Sequence, residues 1–82
     1  MSFKDFFDNL LRNGAQPDRA LRTEQFVILQ AEQTFLKEGE PREDGEAANR
    51  RISITRNRIW QEIDRGLKKG ESLESILDLL QI

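Results

Sequence analysis

Arginine is the residue type in this sequence with the most obvious chemistry, and its spacing is regular. Arg51, Arg58 and Arg65 recur every seven residues, so on a helix they share one face. Arg50 and Arg56 stand elsewhere on the same stretch, also away from its apolar stripe. A row of guanidinium groups can pair with phosphates or with the carboxylates of a protein partner. Trp60 is the single tryptophan and follows Ile59 at the edge of the apolar stripe. It can be a partly buried core residue whose indole N–H reaches solvent, or an interface anchor, since Trp and Arg are enriched in hot spots. One turn after Arg56, it can also stack on that guanidinium. Arg51, Arg56, Arg58, Trp60 and Arg65 are therefore the candidate partner-binding residues.

The residue types that usually carry catalysis are missing. There is no His and no Cys. A nucleophile would have to be a Ser, Thr or Lys activated without an imidazole. Acid–base work by paired carboxylates needs a deep pocket, which 82 helical residues rarely enclose. We therefore expect no enzyme, no cofactor, and no catalytic, cofactor-binding or metal-ligating residues. The acidic loop 39–45 lacks the alternating spacing and closing Glu of a calcium site.

Net charge is −2, so there is no long-range attraction to a polyanion. Residues 1–40 hold 5 bases and 7 acids, and residues 41–82 hold 8 of each. Glu62 and Asp64 share the arginine-rich stretch, and no aromatic stacking series accompanies it. A nucleic-acid partner is thus less favoured than a protein partner, and both stand against a merely solvated, salt-bridged helix face. No apolar run reaches the roughly 20 residues of a membrane span, and acids interrupt the apolar stretch at the start. The expectation is a cytoplasmic protein with no membrane partner.

These residues need helices to position them. The longest run without a Pro and with few breakers is Glu46 to Lys69, where Ala48, Ile52, Thr55, Ile59, Ile63 and Leu67 form one apolar stripe. Before it, Ser2 and Asp5 make a loose capping box, and Phe3, Phe6, Phe7, Leu10 and Leu11 follow at helical spacing. Gly14 suits the left-handed cap that ends this helix. Pro17 opens a second helix that runs to Lys37, with Thr23 available as a fresh cap if the chain breaks near 21–23. Leu21, Ile28 and Phe35 repeat every seven, and Phe26, Leu29 and Leu36 lie beside them. That arc is wider than one packing face needs. The helix is then either central, or touches a partner with one flank. Residues 39–45 form the clearest loop. Ser72 caps a last short helix through Leu73, Ile76, Leu77 and Leu80, its apolar face widened by Leu79 and Ile82.

No strand-like alternation occurs. The fold class is all-α: a small bundle of three main helices plus one or two short ones, in a single domain spanning 1–82. With no disulfide and no His for a zinc site, so small a core relies on helix packing or self-association.

The run Phe26-Val27-Ile28-Leu29-Gln30-Ala31-Glu32-Gln33-Thr34-Phe35-Leu36, the charged loop, Gly45-Glu46-Ala47-Ala48-Asn49 and the Arg56-Asn57-Arg58-Ile59 core together resemble the effector-associated domains of bacterial conflict proteins. Those are small death-like helical bundles. Leu10 to Gly14 and Pro17 to Leu21 are similar to the short paired helices of that family, so the resemblance covers residues 3–67. It implies an adaptor that pairs with a like domain and links a sensor or effector to its partner, with Arg56 and Arg58 supporting the structure or the partner surface. The expected function is a protein–protein interaction module that self-associates or pairs with a like domain. The alternative is a small regulator of mobile-element type that binds a host enzyme or nucleic acid.

Overall fold

A computed structural model describes residues 2–37 and 45–82, with side chains described for all of these except 34–37. The chain forms four helices: α1 (Phe3–Arg12), α2 (Pro17–Lys37), α3 (Gly45–Lys68) and α4 (Leu73–Leu79). No strand occurs among the described residues. Of the loop expected at 39–45, residues 39–44 lie outside them, as do the side chains of Phe35 and Leu36. The helix α2 packs against both α1 and α3, while α4 packs on α3.

The helix α1 begins with the expected capping box. Asp5 N–H donates to Ser2 Oγ at 3.2 Å, and Ser2 N–H reaches Asp5 Oδ2 at 3.5 Å. Phe6 and Leu10 are fully buried, and Phe3, Phe7 and Leu11 pack around them. The end is a Schellman turn. Gly14 sits at φ 101°, Gly14 N–H donates to the Leu11 carbonyl at 3.1 Å, and Ala15 N–H donates to the Leu10 carbonyl at 3.0 Å. The same two-bond pattern closes α3 at Gly70, φ 88°.

In α2 the helix does not break. Thr23 is fully buried mid-helix, and its hydroxyl donates to the Arg19 carbonyl at 2.9 Å instead of capping a new start. The buried stripe is Ala20, Thr23, Val27 and Ala31. The seven-residue repeat led by Leu21 is therefore not the core line: Leu21 is 52% exposed and Ile28 only half-buried. The reason is steric. One face of α2 meets both neighbours, and the small side chains of Ala20, Thr23 and Ala31 on it let the helices approach closely. The larger Leu21 and Leu29 lie off that face and are exposed.

In α3 the buried residues are Arg56, Ile59, Ile63 and Gly66, with Ile52, Trp60 and Leu67 packed around them. The core line is thus rotated slightly from the expected stripe, towards α1. Trp60 meets Phe6 edge to face at 6.2 Å, and Phe6 meets Phe3 likewise at 6.5 Å. Ser72 caps α4 as expected, accepting from Ser75 N–H at 3.2 Å. Leu73, Ile76 and Leu77 are buried there. Leu79 is 78% exposed and does not widen the packing face. A helix of seven residues needs outside support. Gly66 supplies it by letting Ile76 close onto the α3 backbone. Arg19 supplies more from α2, pairing with Asp78 and donating to the Ile82 carbonyl at 3.0 Å.

Candidate partner-binding groove

The five residues singled out from the sequence are not brought together. Arg56 is a core residue, only 8% exposed, and not part of an outward arginine row. Its guanidinium lies over the Phe3 ring at 4.7 Å from the centroid, and Nη2 donates to Ser53 Oγ at 3.3 Å. The rotation of α3 towards α1 carries Arg56 inside, where an aromatic face and a long aliphatic stem make its burial tolerable. Trp60 lies half-buried on that same side, against Phe6. Arg58 and Arg65 are exposed on the opposite flank of α3. Arg51 is half-buried there and makes interactions within the chain. Arg50 pairs with Glu46 at 3.3 Å along the helix surface.

Arg58 borders a groove of about 300 Å³ between α2 and α3. Its apolar wall is Phe26 from α2, Ile59 from α3 and Leu80 from the residues after α4. Gln30, Thr55, Arg58 and Glu62 give it a polar margin. A second recess of about 280 Å³ shares Phe26 and continues past Arg22 and Leu29 to Gln81 and Ile82. Leu29 stands at its edge, 55% exposed. Leu80 and Ile82 therefore lie between two hollows that run along one flank of α2. Gln81 between them holds φ 63°, a left-handed conformation, so that Gln81 and Ile82 N–H can close a third Schellman turn on the Asp78 and Leu77 carbonyls.

The margin of the groove has one feature that spacing alone does not reveal. Two acid-first pairs on α3 close along the helix: Glu46 with Arg50 at 3.3 Å, and Asp64 with Lys68 at 3.0 Å. Arg58 and Glu62 have the same separation but the base comes first, the weaker orientation against the helix dipole. Neither makes an ion pair among the described residues, and both face the groove. On α2, burial pushes the Glu24 carboxyl above its ordinary value.

Of the groove residues, only Arg58 is among the sequence candidates. Phe26 shows in the sequence as part of an over-wide apolar arc, and Glu62 only as a counter-charge to the arginines. Among the described residues no group of three or more His, Cys, Asp or Glu is placed to hold a metal ion. No described helix is long and apolar enough to cross a membrane. No family model matches this chain, and no curated protein and no solved structure matches it either.

Proposed function

We propose that this chain is a protein–protein interaction module that pairs with a like domain or with itself, and that it works by binding rather than catalysis. The observation that carries this reading is the α2–α3 groove: an apolar wall of Phe26, Ile59 and Leu80 with opposite charges, Arg58 and Glu62, on its margin. An apolar centre with a polar, charged edge is the anatomy of a specific protein interface. The half-exposed Leu29 extends the apolar surface beyond the groove. A nucleic-acid role is less well supported, because Arg56 is buried and Glu62 stands beside Arg58. As an adaptor of the effector-associated kind, acting in the cytoplasm, the module would present this flank to join a sensor or effector to its partner.

Light scattering across a micromolar-to-millimolar series tests this. The expected result is a molar mass that rises with concentration for the native chain. Leu29→Glu should remain closer to monomer at each concentration, with an unchanged melting temperature. A native chain that is monomeric throughout would refute self-pairing.

A further inference from the structure

Resting on that reading, we infer that the partner at the α2–α3 groove is a second copy of this chain, docked about a two-fold axis that sets Arg58 of each copy against Glu62 of the other. Arg58 and Glu62 lie one turn apart on α3, about 6 Å along the helix axis. They form no ion pair with each other or with another described residue, although two acid-first pairs on the same helix do close. A cation and an anion side by side on one exposed edge are self-complementary. When a second α3 runs antiparallel across them, each charge meets its opposite, and one contact generates its mate by symmetry. The apolar surface beside them, Phe26, Ile59 and Leu80, then turns towards the partner in both copies.

Other surfaces among the described residues lack this property. The hollow on α1 is bordered by Asp5, Asp8, Asn9 and Arg12 with no apolar wall. Leu79 and Ile54 are exposed singly. Arg65 lies on the flank of Arg58 but outside the groove. Of these, only the Arg58–Glu62 edge joins opposite unpaired charges to an apolar groove. Two reciprocal pairs fix register and orientation, while the apolar contact supplies area.

The test uses two charge reversals, Arg58→Glu and Glu62→Arg, in the full chain. Both residues are exposed, and circular dichroism with thermal melting checks that each variant folds. Each reversal places like charges together twice in the homodimer, so each variant alone should dimerise about tenfold or more weakly. Mixed one to one, the variants should form a heterodimer of near-native affinity. The introduced glutamate of one chain then faces the introduced arginine of the other, and the untouched Glu62 of the first faces the untouched Arg58 of the second. Sedimentation or light scattering of the mixture reads this directly. A mixture no tighter than its components, or single variants with native affinity, overturns this geometry while leaving self-association through another face standing. A native chain that is monomeric throughout overturns both.

Discussion

Replacing Gly66 by alanine separates two opposing physical effects. Inside a helix, Gly→Ala normally stabilises by up to about 1 kcal/mol, since glycine loses more backbone entropy on folding. Gly66 lies in the last turn of α3, where that gain is at its smallest. A Cβ there would lie 2.7 Å from Ile76 Cδ1, 2.9 Å from Ile76 Cγ1 and 2.8 Å from Glu71 Oε2. Glu71 is exposed and can swing away. Ile76 is 5% exposed and cannot, so α4 must shift off α3. Overpacking of this kind costs about 1–3 kcal/mol. The expected net loss is about 1–2 kcal/mol, or a melting temperature lower by about 4–8 °C per kcal/mol for a chain of this size. Gly45→Ala is the control, since nothing lies within 4 Å of its new methyl. Urea titration followed by circular dichroism gives the free energies. Ile76→Val removes the closest atom, so in a double-mutant cycle it should cost less in the Gly66→Ala background than alone, by about 0.5 kcal/mol or more. A Gly66→Ala variant as stable as the native chain, or more so, would refute the close approach of α3 and α4.

Burial sets two further outcomes. Arg56→Ala should lower stability by about 1–3 kcal/mol, through lost packing and the lost contact with the Phe3 ring, while Arg58→Ala stays within about 0.5 kcal/mol of native; urea titration of the pair checks this, and equal effects would mean that Arg56 is not inside. Glu24 holds its proton to higher pH folded than unfolded, so its contribution to stability falls as pH rises from the ordinary carboxylate value through the raised one. Glu24→Gln should therefore be the more stable protein at neutral pH, with the difference closing in acid; a gap in unfolding midpoint that is independent of pH would contradict the assigned cause.

Helix existence and helix ends are legible in the sequence because both are local. The Ser2 and Ser72 caps and the glycine at position 14 occur where their residue types and spacing place them. The apolar stripe of α1 is equally plain: a helix packed on one side shows its buried face as a single period. Which residues of α2 and α3 face inward is not legible. Periodicity counts apolar residues, but a packed helix buries whatever fits against its neighbours. There Ala20, Thr23 and Ala31 displace Leu21, and the rotation of α3 takes Arg56 inside. The groove requires even more distant information, since Phe26, Ile59 and Leu80 come from three parts of the chain.

The sequence alone, then, determined an all-α bundle, its caps and its breaks, because capping and helical period are set by residues within a few positions of one another. The tertiary structure alone decided which arginine is core and which is surface. It also decided that Arg58 and Glu62 border one apolar groove, because burial depends on what packs across from a residue and not on its own type.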